Sequence, residues 1–139
     1  MDTYLKNVVK SNWDFILELR NSDYRYFYEQ NEPISKVEHY KYMEKQSKIA
    51  NFHHWIISQN DIDVGYVRIL DDDVGIMIKK EFQSKGIASK ALLLLENEAK
   101  QIGINKLIAL VHPNNIGSER IFKKNGYDLK MLRLEKSLN

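Results

Sequence analysis

The segment Gln83-Ser84-Lys85-Gly86-Ile87-Ala88 has residue types and a position that suit the binding of a phosphate group. It precedes a leucine-rich stretch with helical periodicity, so its backbone N–H groups should lie at the positive end of a helix dipole. Gly86 allows close approach of the backbone to a ligand, and Ala88 is small enough for the same purpose. Such helix starts attract phosphate. Alone, however, a glycine before a helix is more often a turn or a packing position.

The spacing of this segment differs from that of two common phosphate-binding loops. It lacks the Gly-Lys-Ser/Thr ending of a Walker loop, and it lacks the three glycines of the dinucleotide-binding motif. The segment therefore predicts a phosphate site of another kind, to which Lys85 and Lys90 could add positive charge.

Three short apolar runs before this segment predict strands, because they are rich in Trp, Ile, Val and Tyr. They read HHWIIS, DVGYVRIL and VGIMI. The turn-like QND and DDD between them predict two hairpins and hence three antiparallel strands. After the loop, small and apolar residues at helical spacing predict a helix that ends at Gly103. Its apolar face consists of Ala88, Ala91, Leu92, Leu95, Ala99 and Ile102.

The rest of the chain predicts a crossover unit and a final helix and strand. The run KLIALV is almost wholly apolar, as expected of a strand covered on both faces. Strand, helix and strand at this spacing imply that part of the sheet is parallel. The stretch NIGSERIFKKNGY predicts a helix that ends at Gly126, with Ile116, Ile121 and Phe122 available for the core. Alternation in YDLKMLRLE predicts a last strand.

Two helices are predicted ahead of the strands. Ser11 with Asp14, and Ser35 with Glu38, both have the spacing of a capping box. The full predicted order is helix, helix, three strands, helix, strand, helix, strand.

Length and composition limit the kind of protein. The 139 residues, with 6 Gly, 2 Pro and no linker-like stretch, predict a single domain over residues 1–139. The absence of cysteine excludes disulfides and cysteine nucleophiles, and the four histidines lack metal-ligand spacing, so no metal is expected. A net charge of +2 disfavours nucleic acid as a partner. Without an apolar leader or membrane-spanning run, we expect a cytoplasmic protein with no membrane partner.

Two separate motifs resemble those of one enzyme family. Residues 83–88 resemble the Arg/Gln-x-x-Gly-x-Gly/Ala signature of the GNAT superfamily of CoA-dependent N-acetyltransferases. The residues from Asn115 to Ser118, then Ile121-Phe122 and Gly126-Tyr127, resemble the second signature of that family. Both motifs lie at family-like spacing, and the resemblance covers roughly the last half of the chain. The element order of the first half agrees with it.

The resemblance implies an α/β (α+β) fold of three layers. Its mixed, mostly antiparallel sheet is splayed between two central strands, helices cover both faces, and acetyl-CoA lies in the opening. Asn115 also has a simpler role open to it, as the N-cap of a helix. The cofactor-binding residues implied by the resemblance are Met77, Ile78, Gln83, Lys85, Gly86, Ile87, Ala88, Asn115, Ser118 and Phe122.

The resemblance also suggests how the acetyl group moves. An amine with a pKa near ~10 must lose a proton before attack, at a cost on the order of 4 kcal/mol at neutral pH. Asp73 stands where many relatives place a carboxylate base, although aspartate is also frequent in hairpin turns. His112, after the apolar strand, is an alternative base. Phe122 replaces the tyrosine that is thought to protonate the thiolate in many relatives. Either no acid is needed, or the hydroxyl of Tyr127 or Tyr66 substitutes for it.

The acceptor half of the chain resembles known subgroups more loosely. The stretch LRNSDYRYFYEQNEPISKVEHYKYM resembles enzymes that acetylate the 4-amino group of nucleotide-linked deoxy sugars, and it also resembles ribosomal-protein N-terminal acetyltransferases. Arg20, Asn21, Arg25 and His39 could meet the phosphates or hydroxyls of a sugar nucleotide. They could equally be surface charges and core contacts.

Three functions therefore remain open. The first is acetyl transfer to a small-molecule amine, with a nucleotide sugar as the acceptor, by direct attack in a ternary complex. The second is acetylation of peptide or protein N-termini. The third, suggested by Phe122, is a module that binds acyl-CoA without turnover. The protein is expected to be a monomer or a homodimer.

Overall fold

A computed structural model of the protein describes residues 2–22, 24 and 32–139. No helix in these ranges is long and apolar enough to cross a membrane. Short 3-10 turns occupy Lys10–Asn12 and Lys80–Phe82. The helices and strands, in chain order, are β1 (Thr3–Asn7), α1 (Trp13–Ser22), α2 (Lys36–Gln46), β2 (Phe52–Gln59), β3 (Ile62–Leu70), β4 (Asp73–Ile78), α3 (Ile87–Ile102), β5 (Ile108–Ala109) and α4 (Ile116–Lys124).

The five strands form one mixed sheet in the order β1-β2-β3-β4-β5. The first three pairings are antiparallel, and β4 pairs with β5 in parallel. Tight turns at the predicted positions join β2 to β3 and β3 to β4. Asn60, Asp61 and Asp71 have positive φ angles of 50°, 66° and 59°, which Asn and Asp tolerate better than most residues. The predicted hairpins are confirmed.

Helices cover both faces of the sheet, so the fold has three layers. On one face, Ala91, Leu92 and Leu95 of α3 and Phe122 of α4 pack against buried strand residues such as Val67. Each fully buried leucine contributes about 1.5–3 kcal/mol of hydrophobic stabilisation. The predicted apolar side of α3 is thus the side that faces the sheet, except at its last residue, Ile102, which is 40% exposed.

The opposite face of the sheet is covered by α1 and α2. Trp13, Ile16 and Leu19 of α1 and Met43 of α2 form a second buried cluster with strand residues that include Tyr66. Because side chains alternate along a strand, every second residue of β3 and β4 belongs to this face. The architecture agrees with the expected fold class.

The structure corrects two expectations about the beginning of the chain. The strand β1 was not predicted, and it pairs with β2 at the edge of the sheet. Ser35 caps α2 as predicted, since its Oγ accepts a hydrogen bond from Glu38 N at 3.2 Å. The predicted Ser11 cap is wrong, because Ser11 lies inside a 3-10 turn whose N-cap is Val9, and Asn12 Oδ1 accepts from Val9 N at 2.8 Å.

The structure also corrects the end of the described chain. The predicted last strand is absent, since residues 127–139 have no regular secondary structure and every residue from 128 onward is exposed. Ile116, expected in the core, is 63% exposed, whereas Phe122 is buried as predicted. Gly103 and Gly126 follow α3 and α4 with φ angles of 97° and 91°, as their predicted roles at helix ends require.

Candidate active site

An opening separates the two central strands β4 and β5. These strands pair only at Asp73 with Ile108 and at Val74 with Ala109. Residues 75–78 of β4 continue beside β3, and no strand in the described ranges pairs with their other side. The expected splay is confirmed, and it begins next to Asp73.

The backbone of β4 presents hydrogen-bonding groups to this opening. The N–H of Lys79 donates to the carbonyl of Val64 on β3 at 2.8 Å. Because backbone groups alternate in direction along a strand, those of Met77 also face β3, whereas those of Ile76 and Ile78 face the opening. The register thus turns the backbone of Met77 away from the opening and leaves Ile76 and Ile78 as the residues of this strand end whose backbone groups face it.

The loop after β4 leads to the start of α3. The Nε2 of Gln83 donates to the carbonyl of Ile78 at 2.9 Å, so this side chain lies at the mouth of the opening. Gly86 has a φ of 80°, and no side chain caps the helix that follows it. Within the described ranges, the N–H groups of residues 85–88 donate to no protein acceptor. Consecutive unpaired donors at a helix N-terminus fit the two phosphates of a pyrophosphate.

The helix α4 follows β5, the strand on the other side of the opening. Asn115 is the N-cap of α4, and its Oδ1 accepts from Ser118 N at 3.2 Å, so its structural role is confirmed. The Nδ2 of Asn125 donates to Ser89 Oγ at 3.1 Å and thereby ties the end of α4 to the first turn of α3. Phe122 is buried between these helices and the sheet. The two helices that flank the opening are therefore held in a fixed relation.

An ion pair lies beside the opening on the face covered by α1 and α2. Arg68 Nη1 donates to both the carboxylate and the carbonyl of Asp73, at 3.2 Å each. Gly75 stands opposite Arg68 in the ladder, and a Cβ there would lie 3.0 Å from the Cζ of Arg68. The missing side chain lets the guanidinium lie across β4 to reach Asp73.

A second guanidinium approaches the same face from α1. Arg20 Nη1 lies 3.1 Å from Nδ1 of His39, and Nε2 of His39 lies 2.8 Å from the carbonyl of Trp13. Since a carbonyl only accepts, Nε2 donates to it and Nδ1 accepts from Arg20. His39 is 0% exposed. Burial lowers the pKa of His39 below 6.5, so the imidazole is neutral at neutral pH.

The environment of Arg20 links it to the strand residues. Its Cζ lies 4.7 Å from the ring centroid of Tyr42, close enough for a cation–π contact. Burial lowers the pKa of Arg20, and the positive charge of Arg68 lowers it further. The two guanidinium groups therefore lie within electrostatic range of each other.

His54 and Tyr66 form a polar pair on this face. Nδ1 of His54 and the hydroxyl of Tyr66 are 3.0 Å apart. Burial lowers the pKa of His54 to about 4, and the neighbouring His53 contributes. Burial also raises the pKa of Tyr66 above its usual value. Both groups are therefore neutral at neutral pH.

The two other catalytic candidates lie in different surroundings. Tyr127 packs edge-on against Phe122, and its buried hydroxyl has no hydrogen-bond partner among the described residues. Burial raises the pKa of Tyr127 to about 12, with a smaller contribution from Glu96. Nδ1 of His112 accepts from Asn114 N at 3.1 Å, so this lone pair is used in a turn.

The other two residues that were expected to bind the acceptor are Asn21 and Arg25. The amide of Asn21 both donates to and accepts from the backbone of Ile34, at 3.0 and 2.9 Å, which ties the end of α1 to the segment before α2. Arg25 lies outside the described residues. Among those that are described, no group of three His, Cys, Asp or Glu side chains could hold a metal ion.

Comparison with known proteins identifies the family. The acetyltransferase (GNAT) domain family matches residues 4–128. The chain belongs to the GNAT acetyltransferase family. As a GNAT domain it is an acetyl-CoA-dependent N-acyltransferase, and the unpaired donors of α3 together with the open edge of β4 fit the pyrophosphate and pantetheine of that cofactor.

Three individual proteins are similar to this chain in sequence or in fold. An uncharacterized protein of Methanocaldococcus jannaschii is 24% identical over 136 residues, and this GNAT chain spans only 27% of its length. The crystal structure of a domain from that organism is 26% identical in sequence and has a TM-score of 0.80. The alignment covers 91% of this chain and 88% of that domain. The structure of spermidine N-acetyltransferase from Vibrio cholerae, solved with CoA and spermine, has a TM-score of 0.77 at 18% identity. The alignment covers 89% of this chain and 79% of that one. At this identity the similarity shows only that the two proteins share a fold.

Sequence reasoning missed Arg68, His54 and the role of Gly75. The signal for Arg68 was a charged residue in the middle of the mostly apolar strand DVGYVRIL, on the same face as Tyr66. The antiparallel register then places Arg68 between His54 and Gly75, which the sequence alone does not specify.

Proposed function

We propose that this domain transfers the acetyl group of acetyl-CoA to a primary amine on a small acceptor that also carries negative charge, namely a nucleotide-linked amino sugar. One observation carries the proposal: Arg20 and Arg68, each held by a hydrogen-bond partner of its own, lie on the same face of the sheet. They are near enough that the charge of Arg68 helps to lower the pKa of Arg20. Two guanidinium groups placed in this way suit the bidentate binding of phosphate oxygens.

The way in which Arg20 is held supports a binding role. His39 is completely buried, and its two ring nitrogens are used by Trp13 and Arg20. An arginine held only for solubility needs no such partner. A fixed guanidinium loses less side-chain entropy when it binds an anion, so the arrangement favours ligand binding.

The same charges argue against acceptors that are only cationic. Spermine bears several ammonium groups and no anionic group, so both Arg20 and Arg68 would repel it. A nucleotide-linked amino sugar combines one amine with a negatively charged pyrophosphate. Residues 19–43 also resemble enzymes that acetylate nucleotide-linked amino sugars, and this resemblance supports the same acceptor class over a polyamine.

Acetyl-CoA supplies the acetyl thioester when it is bound. The first-turn N–H groups of α3 would hold its pyrophosphate, and the backbone of Ile76 and Ile78 would bond its pantetheine amides. Asp73 would accept the proton of the acceptor ammonium, directly or through water, because it lies where the opening begins. Arg68 orients this carboxylate and leaves other lone pairs of it available.

Departure of the thiolate would need no acid from the protein. Phe122 has no proton to donate, and with a pKa of about 12 the hydroxyl of Tyr127 is a weaker acid than an ordinary thiol, which titrates near ~8.5. His112 would not serve as the base, since its Nδ1 lone pair is used by Asn114 N. Asp73 is therefore the residue that we assign to proton transfer.

An acceptor panel tests the proposal. The panel contains a nucleotide-linked 4-amino sugar, the same sugar without the nucleotide, spermidine, and a peptide with a free N-terminus. Release of CoA is followed with a thiol reagent, which gives no background because the chain has no cysteine. We expect turnover with the nucleotide-linked sugar and at least tenfold less with the free sugar. Preference for the peptide or spermidine would refute the acceptor class, and CoA binding without turnover on any amine would indicate a non-catalytic module.

A further inference from the structure

The side chain of Asn125 makes two hydrogen bonds at the end of α4. Its Nδ2 donates to the carbonyl of Ile121 at 2.8 Å and to Oγ of Ser89 at 3.1 Å. A carbonyl only accepts, so the part of the amide that faces Ile121 must be the NH₂ group. The same NH₂ group makes the bond to Ser89, and Asn125 is therefore the donor to both partners.

The bond from Asn125 determines what the hydroxyl of Ser89 can do. An oxygen that accepts this bond keeps its own proton for another partner. A serine inside a helix often donates that proton to a carbonyl of the preceding turn, but Ser89 does not. Among the described residues, the proton of this hydroxyl has no acceptor, because the bond from Asn125 is the one hydrogen bond that Ser89 Oγ makes.

Ser89 lies at the part of α3 that is suited to bind phosphate. It is the third residue of this helix, and its side chain is half-buried. The backbone N–H groups of residues 85–88, at the same helix start, donate to no acceptor within the described ranges. A hydroxyl beside these donors can give a phosphate oxygen one more hydrogen bond, which the negative charge of the phosphate strengthens.

The end of α4 holds Asn125 in a fixed position. The N–H of Asn125 donates to the carbonyls of Ile121 and Phe122, at 3.1 Å each. The N–H of Tyr127 also donates to the carbonyl of Phe122, at 3.0 Å, and the ring of Phe122 is buried. The amide of Asn125 therefore extends from an ordered backbone. A hydroxyl that is oriented in advance loses less conformational entropy when it binds an anion.

We propose that Asn125 is a positioning residue for acetyl-CoA, and that its amide orients the hydroxyl of Ser89 to donate to the pyrophosphate of this cofactor. The inference rests on the proposed binding of the pyrophosphate at the first turn of α3. Without Asn125, the hydroxyl could turn to a carbonyl of its own helix, and a phosphate oxygen would compete with that carbonyl for the proton.

Removal of the hydroxyl should weaken CoA binding, which calorimetry measures on the full chain. Ser89→Ala should raise the Kd of CoA by at least about tenfold, because a hydrogen bond to a charged group is lost. Ser89→Thr keeps a hydroxyl at this position and should restore most of the affinity. Ser47→Ala removes a hydroxyl at the end of α2 and is the matched control, which should leave the Kd unchanged.

Asn125→Ala tests the positioning role. It should raise the Kd of CoA by about three- to tenfold, and its addition to Ser89→Ala should raise the Kd no further, because Asn125 acts through the hydroxyl. Pantetheine, which has no phosphate, is the second ligand and is titrated by NMR. Its Kd should be the same in all variants, whereas a general loosening of α4 would weaken the binding of both ligands. Circular dichroism confirms that each variant is folded.

Three results would overturn the inference. The first is a Ser89→Ala variant that binds CoA as tightly as the wild type. The second is a double variant whose losses add, since Asn125 would then act independently of Ser89. The third is an equal loss of affinity for pantetheine, which would make the role of Asn125 purely structural.

Gly86→Glu tests the proposed cofactor site separately. If this variant loses CoA binding while Ser89→Ala keeps it, the pyrophosphate site remains supported and the role of Asn125 and Ser89 is wrong. If the wild type does not bind CoA, or if Gly86→Glu binds it normally, the proposed cofactor site is wrong and the inference falls with it.

Discussion

Arg20 donates a hydrogen bond to Nδ1 of His39 across 3.1 Å, and His39 is fully buried. The histidine can accept this bond only as the neutral tautomer with its proton on Nε2, which the carbonyl of Trp13 enforces. The pair therefore places a fixed positive charge on the face of the sheet where Asp73 begins the opening.

Arg20→Met should weaken acceptor binding and leave the cofactor site intact. A hydrogen bond to a charged group is worth about 1.5–3 kcal/mol, so we expect the KM of the acceptor to rise by roughly 10–100-fold. The Kd for CoA, measured by calorimetry, should stay within about twofold, because the pyrophosphate donors lie across the sheet. Lys41→Met on the exposed side of α2 is the matched control and should change neither constant.

His54 should make the protein less stable in mild acid. Its pKa falls from 6.5 when unfolded to about 4 when folded, so the unfolded chain binds the proton more readily. The stability contributed by neutral His54 is complete above pH 6.5 and is lost as pH falls from 6.5 toward 4. The lowered pKa of His39 acts in the same direction.

Chemical denaturation at about pH 7 and about pH 5 measures the decrease in the free energy of unfolding. For each proton that the unfolded chain binds in excess, this decrease is at most about 1.4 kcal/mol per pH unit. His54→Gln keeps an oxygen acceptor for Tyr66 but does not titrate, so it should reduce the pH dependence. His53→Gln is the neighbouring control and should preserve most of it. An equal slope in wild type and His54→Gln would contradict the assignment.

Two glycines at opposite ends of α3 allow a matched test of the cofactor site. Gly86 and Gly103 have φ angles of 80° and 97°, and a Cβ at either would meet nothing within 4 Å. Glutamate at either position therefore costs a similar amount of backbone strain, on the order of 1 kcal/mol. Gly86→Glu also places a carboxylate where phosphate should bind, so CoA binding should fall by at least about tenfold. Gly103→Glu should bind CoA normally, and equal loss in both variants would argue against the loop.

The sequence predicts the parts of the fold that depend on local chemistry. Hairpins at Asn60 and Asp71, the Ser35 cap and the glycine ends of α3 and α4 each follow from the preferences of nearby residues. The cofactor loop was predictable for the same reason. Its donors are consecutive backbone groups, which need only a strand, a glycine and a helix start.

The rest of the site depends on contacts between distant parts of the chain. Arg68 reaches Asp73 only because the hairpin register puts Gly75, which has no side chain, opposite Arg68. Arg20 meets His39 only because α1 packs on α2. Periodicity does not specify such pairs. The prediction of a last strand was wrong for a related reason. Alternation of apolar and polar residues shows that a segment can pair as a strand, but it does not specify the partner strand.

The variant Tyr127→Phe tests whether the hydroxyl of Tyr127 has a catalytic role or only a structural one. The hydroxyl of Tyr127 is buried without a partner in the described part of the protein, so its removal should leave stability unchanged or raise it by about 1 kcal/mol. If the thiolate leaves unassisted, kcat should remain within about threefold of wild type. A fall in kcat of about 100-fold, with unchanged CoA affinity, would instead make Tyr127 the proton donor.

Gly75→Ala should damage the acceptor site more than the fold. A Cβ at Gly75 would lie 3.0 Å from Cζ and 3.1 Å from Nε of Arg68, so the flexible guanidinium must move away from Asp73. We expect a stability loss below about 1 kcal/mol but a clear fall in kcat/KM, since both the base and a binding cation are disturbed.

Gly65→Ala provides the contrast for this prediction. A Cβ there would lie 2.6 Å from the carbonyl oxygen of Met77, which belongs to the rigid backbone of β4. The strands would have to separate, and overpacking of this kind costs about 1–3 kcal/mol. The melting temperature of Gly65→Ala should therefore be well below that of Gly75→Ala. In activity assays normalised to the protein that binds CoA, Gly75→Ala should be the less active of the two variants. If Gly75→Ala kept full activity, contact between Arg68 and Asp73 would not be required for turnover, and the assignment of Asp73 as an oriented base would be wrong.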